Sequence, residues 1–202
     1  MTIHMLNRLF IPTVLGALAV AALAGCAARK AVYLNQQANF GAVETVALLP
    51  LDNFTSDVNA PEKVGQILTI ELLAADAFRL VDTGETKAAL GRAGVVLTGN
   101  AVQLINEMNA EQIRSVGEAI GAQALLMGTV REMGVDRSAG VPAPQVSLQF
   151  RLVDCASGDT IWSSVVSRSG AGAGARLFGV GGKSVNKAIQ EMIREALGTL
   201  ID

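Results

Sequence analysis

The apolar and polar positions of the chain change period several times, and each change marks an element. Leu9 to Ala22 is an apolar run of roughly 14 residues, shorter than the roughly 20 that a membrane-spanning helix needs. It is preceded by Arg8 and followed by small residues, the pattern of a secretory signal peptide that is cut away. Residues 27 to 42, AARKAVYLNQQANFGA, hold no sustained period and mix glutamine, asparagine and charge, so a tether is predicted there. Val43 to Leu51, VETVALLPL, is β-branched and leucine-rich and reads as a first strand. It is closed by Pro50 and by a loop of Asp52, Asn53, Phe54 and Thr55. Asn59 then offers a helix N-cap with Pro61 in the first turn. Val64, Ile67, Leu68, Leu72 and Ala75 follow at helical spacing.

Further along, FRLVD (Phe78 to Asp82) predicts a short strand, Glu85 to Ala93 a helix, and Gly94 to Gly99 a loop. Asn109 with Gln112 makes a capping-box pattern, and Ile113, Val116 and Ile120 form one stripe ending at Gly121. Ala124 to Val130, ALLMGTV, is apolar at every second position and between, as a central strand covered on both sides must be. VSLQFRLVD alternates Val146, Leu148, Phe150 and Leu152 against Ser147, Gln149 and Arg151. The turn CASGD then leads into TIWSSVVS, which makes a hairpin. From Ser184 onward a wide apolar stripe (Val185, Ala188, Ile189, Met192, Ile193, Ala196, Leu197 and Leu200) predicts a long closing helix. The predicted order is β-α-β-α-α-β-β-β-α: a single compact α/β domain, with a mixed sheet of about five strands flanked by helices, after a cleaved signal peptide.

Four residues at the end of the signal peptide give the segment more meaning. Leu23-Ala24-Gly25-Cys26 resembles the bacterial lipobox, in which the cysteine is diacylated on sulfur, becomes the first mature residue and is then N-acylated. The resemblance implies a lipidated Cys26 held firmly on a membrane by its acyl chains. In the lipoprotein sorting pattern it resembles, aspartate after the cysteine favours the inner membrane. Ala27 stands there instead, so the expectation is an outer-membrane anchor facing the periplasm. The chain then divides into a lipoprotein signal peptide (1–25), a lipidated tether (26–42) and an α/β domain (43–202).

Charge and composition narrow the chemistry. Sixteen basic residues against 18 acidic ones give no reason to expect nucleic acid. The only histidine, His4, leaves with the signal peptide. The mature chain therefore has no Ser-His-Asp or Cys-His nucleophile pair, no histidine base and no histidine-containing zinc site. With Cys26 committed to lipid, Cys155 is left single, a buried or turn thiol rather than half of a disulfide. No cofactor is expected beyond the covalent lipid.

The phrases VETVALLPLDNFT, IGAQALLMGTVRE and VSLQFRLVDCASGDTIWSSVVS resemble the strand signatures of the curli secretion lipoprotein CsgG and its smaller relatives. Those relatives include lipoprotein activators of penicillin-binding proteins and the N-terminal domain of TolB. The resemblance covers roughly Val43 to Leu200 and implies a compact α/β domain with a mixed sheet. Its motifs describe a fold, not a reaction. It further implies a non-enzymatic protein-binding or assembly factor in the cell envelope, with an envelope protein as partner and self-association as a further possibility. A secretion-channel subunit is the alternative, but each barrel strand needs about 9 to 11 alternating residues. Neither Arg131 to Gln145 nor the glycine-rich stretch supplies two such hairpins. An enzyme or small-molecule binder survives only because distant carboxylates can converge.

GAGAGARLFGVGGKS, Gly170 to Ser184, ends like a phosphate-binding loop. A Walker A sequence needs a glycine five positions before the terminal Gly-Lys-Ser, and Leu177 stands there, so no nucleotide is expected. Glycine at this density costs backbone entropy when ordered, which predicts a mobile connection presenting Arg176, Leu177 and Phe178. These three, with Asp52, Asn53, Phe54 and Thr55, are the candidate partner-binding residues. Phe178 folding back on the domain is the other reading of that segment, and Trp162 is either a core residue under a helix or an exposed anchor.

Overall fold

The computed structural model describes residues 29–95, 105, 107–137, 142–170 and 184–201. The signal peptide, Cys26 and the segment carrying Arg176, Leu177 and Phe178 lie outside the described residues.

The central strand is buried on both faces over its first seven residues, Ala124 to Val130. β5 (Ala124–Asp136) turns Leu125 and Met127 toward one layer and Leu126 and Val130 toward the other, as burial on both sides demands. Around it lie β1 (Arg29–Leu34), β2 (Thr45–Leu48), β3 (Asp52–Asn53), β4 (Arg79–Leu80), β6 (Ala143–Asp154) and β7 (Thr160–Arg168). Among the described residues the sheet has seven strands in the order β1-β7-β6-β5-β2-β4, with β3 added along β5. β2 and β3 run parallel to β5, whereas β5, β6 and β7 form an antiparallel meander.

Among the described residues, four helices cover the sheet. On one face α1 (Ala60–Ala75) contributes Val64, Leu68 and Leu72, and α4 (Val185–Ile201) contributes Ile189, Met192 and Ile193, all packed on Leu126, Phe150 and Trp162. On the other face α2 (Thr83–Arg92) and α3 (Ala110–Ile120) bury Leu90, Ile113 and Val116 against Ala47, Leu125 and Met127. The capping box at Asn109 and Gln112 is present, and Gly121 closes α3 at φ 64°, a left-handed conformation that a side chain would strain. α2 starts earlier than its apolar pattern suggests, because Asp82 accepts hydrogen bonds from the backbone of Gly84 and Glu85.

The five-strand expectation is short by two. The stretch expected to be a featureless tether holds β1, paired antiparallel with β7, and a 3-10 turn at Phe40–Ala42. The first predicted strand breaks after Leu48, and the chain rejoins β5 beyond Pro50 as β3, since proline has no N–H for the ladder. Asn59 sits at the N-cap of α1, but its side chain makes no capping bond. Trp162 is a core residue, fully buried, with Nε1 donating to Thr199 Oγ1 on α4 over 3.1 Å. Cys155 is a free, buried thiol.

Candidate partner-binding surface

The segment from β2 to α1 is built by short-range polar contacts. Asp52 and Asn53 do not form a loop, as the sequence reading had it. They are strand residues opposite Thr129 and Val130, and Asp52 is only 1% exposed. Phe54 then donates its N–H to the Val130 carbonyl over 2.9 Å. Asn53 Oδ1 accepts from both the backbone N–H and the hydroxyl of Thr55, at 2.9 and 2.8 Å, and Asn53 Nδ2 donates to the Asp57 carbonyl. Such Asx-type bonding fixes a turn without regular structure. Asp57 extends the fastening into α1, accepting from the Asn59 N–H at 2.9 Å and from Lys63 Nζ at 2.8 Å. The Lys63 hydrogen bond, helped by the Asn59 N–H, holds the Asp57 carboxyl below the usual carboxylate range.

Two apolar side chains point away from this fastened loop. Phe54 is 65% exposed and Val58 is 83% exposed. An apolar pair on a backbone already held by hydrogen bonds loses little entropy on binding, which suits a docking surface. Beside the loop is a cavity of about 430 Å³ between α1 and the end of β2, lined by Pro50, Leu51, Pro61, Gly65, Gln66 and Lys87 among others. α1 also carries apolar residues on its outer side, where Ile70 and Leu73 are exposed. Leu73 borders a second recess of about 760 Å³ with Phe40, Phe78, Arg79 and Leu200. Exposed apolar residues thus occur both in the turn before α1 (Phe54, Val58) and on the outer side of α1 itself (Ile70, Leu73).

Of the predicted binding residues, Phe54 is presented to solvent, Asn53 and Thr55 hold the turn, and Asp52 is interior. Asp52 lies near Arg151, whose guanidinium is lowered by burial while the charge of Asp52 acts in the opposite direction. Arg151 Nη2 also donates to Met127 Sδ. These are polar groups within the sheet layer rather than a surface. Val58, Ile70 and Leu73 were missed. Val58 is an isolated apolar residue between Asp57 and Asn59, and Ile70 and Leu73 fall off the buried stripe of α1, so their only signal is being apolar where the pattern asks for polar.

The reactive groups are few. Burial, with the charge of Asp154 adding to it, pushes the Cys155 thiol up to about 12, which makes it a poor nucleophile. Among the described residues no group of three histidine, cysteine or acidic side chains is placed to hold a metal ion. Also among them, no helix is long and apolar enough to cross a membrane.

Residues 18–167 match the family model described as peptidoglycan-synthase activator LpoB. A dodecameric PelC from Paraburkholderia phytofirmans shares the fold at 16% identity, with a TM-score of 0.55 over 87% of this chain and 98% of that one. The lipoprotein GNA1162 from Neisseria meningitidis does so at 20% identity, with a TM-score of 0.53 over 78% of this chain and 97% of that one. A search of curated proteins finds no match. The match falls to the activator relatives, and the part of the resemblance that pointed to the curli secretion lipoprotein is not supported.

Proposed function

We propose, from the premise that this chain belongs to the peptidoglycan-synthase activator LpoB family, that it is a lipoprotein of the outer membrane which binds a peptidoglycan synthase in the periplasm. It acts on that partner by contact and catalyses nothing itself. The observation that carries the reading is the hydrogen-bonded turn that holds Phe54 and Val58 out of the domain. A peptide turn fixed by its own side chains and tipped with apolar groups is what a protein partner can bury cheaply.

A photo-crosslinking amino acid in place of Phe54, with the lipoprotein expressed in its own envelope, tests the reading. The expected product is a crosslink to a peptidoglycan synthase, identified by mass spectrometry, that disappears when the probe is moved to Glu118 on α3. Crosslinks confined to ladders of the chain's own mass would mean that this surface serves self-assembly.

A further inference from the structure

The sheet ends at β1, whose outer edge has no neighbouring strand among the described residues. Its side chains are unusual for such a place. Val32 is 42% exposed, Tyr33 53% and Leu34 48%, and Lys30 before them is exposed as well. Tyr33 shares a face with Ser163, and Val32 and Leu34 lie on the opposite face beside Ser164 and Trp162. The rim of the sheet is therefore apolar on both sides. Free, apolar edges are normally avoided because they invite pairing.

We infer that the β1 rim, Lys30 to Leu34, docks on the phospholipid surface that holds the lipid anchor. The inference rests on the lipidation of Cys26 proposed above. Arg29 is fixed in the sheet opposite Ser167, and three residue steps of chain span at most about 11 Å. The first residue of β1 is therefore never more than that distance from the lipid-bearing residue, and the bilayer is the apolar phase always within reach of the strand. The chemistry fits a headgroup layer. An ammonium suits lipid phosphates, and a tyrosine ring with an apolar body and a polar tip suits the membrane interface. The N–H and C=O groups of the edge, which face no strand among the described residues, set the depth: they need water, so the rim rests among headgroups and does not enter hydrocarbon. Because the anchor is already inserted, docking is an intramolecular step at high effective concentration, and a small strip is enough.

The test uses the full lipidated chain in vesicles of phosphatidylethanolamine and phosphatidylglycerol, with bromine placed near the top or near the end of the acyl chains. Tyr33→Trp is compared with Leu73→Trp and the wild type, in which Trp162 is buried and gives a constant background. The Tyr33→Trp signal should lose at least about twofold more emission to shallow bromines than to deep ones, as an interfacial aromatic does. Leu73→Trp should match the wild type. A vesicle-bound Tyr33→Trp chain that is not quenched overturns the docking, and energy transfer between labelled copies at that rim would assign it to a second copy instead. Absence of palmitate from Cys26 overturns the anchor reading itself, which flotation of the vesicles reports separately from quenching.

Discussion

Arg194 on α4 donates from Nε to one carboxylate oxygen of Glu71 on α1 over 2.6 Å, and Gln190, one turn earlier, donates to the other over 2.7 Å. Glu71 is buried while Arg194 is largely exposed. The two helices on this face of the sheet are thus joined by a polar clasp as well as by apolar packing. The Arg194 hydrogen bond, then that of Gln190, holds the carboxyl of Glu71 below the usual range against the cost of burial.

Glu71→Gln should therefore cost about 1–2 kcal/mol, the scale of a charge-assisted hydrogen bond with an exposed partner. The folded carboxyl titrates below the unfolded one, so its contribution is complete above roughly pH 5 and fades as pH falls through the folded value. Chemical denaturation at several pH values should show the wild type losing its advantage over Glu71→Gln on acidification. Equal acid sensitivity in both proteins would mean that the clasp contributes little.

Gly117 and Gly65 both lie inside helices but face different surroundings. A Cβ at Gly117 would come within 2.5 Å of Cys155 Sγ, whereas one at Gly65 meets nothing within 4 Å. Gly117→Ala should lower stability by about 1–3 kcal/mol through overpacking. Gly65→Ala should raise it by roughly 0.5–1 kcal/mol by relieving the helix of a glycine. Thermal melts of the two variants should move in opposite directions.

The thiol of Cys155 should resist alkylation in the native state. In a Cys26→Ser chain Cys155 is the only cysteine, so iodoacetamide labelling at pH 8 reports it alone. With the thiol pushed up to about 12, labelling should be slow until denaturant is added and fast afterwards. Rapid labelling of the folded protein would place the thiol at the surface.

Replacing Phe54 and Val58 together with serine should weaken recovery of the partner by about 2 kcal/mol or more, roughly 30-fold. The melting temperature should hardly change, because neither side chain is packed in the core. Parallel melts and pull-downs of the double variant check this, and a large loss of stability would show that the pair belongs to the core.

Patterns set by near neighbours were legible in the sequence. The capping box of Asn109 and Gln112, the β6–β7 hairpin around CASGD and the stripe from Ala188 to Leu197 all follow from local spacing, and the structure has each of them. β1 was not legible, since Lys30 to Leu34 are exposed on both faces and show no contrast of period. What makes them a strand is β7, far along the chain. β3 was hidden for a different reason. Aspartate and asparagine are depleted in strands, and only the open edge of β5 above β2 recruits Asp52 and Asn53. The exposure of Phe54 could be guessed from its polar neighbours, but the burial of Asp52 beside it could not.

On the proposed export of the chain from its N-terminus, the pairing of Arg29 with Ser167 and of Leu34 with Trp162 also imposes an order of events. β1 leaves first, and its ladder partner follows only near the end of translocation. Such long-range pairing forms late, because the closure entropy must be met before any contact repays it. Until then the strand beside Cys26 stays extended and unpaired, so on the lipid-anchor reading the acylating and cutting enzymes meet a flexible substrate rather than a folded edge. Closure of the sheet would then come after lipidation, on a chain already attached to its membrane.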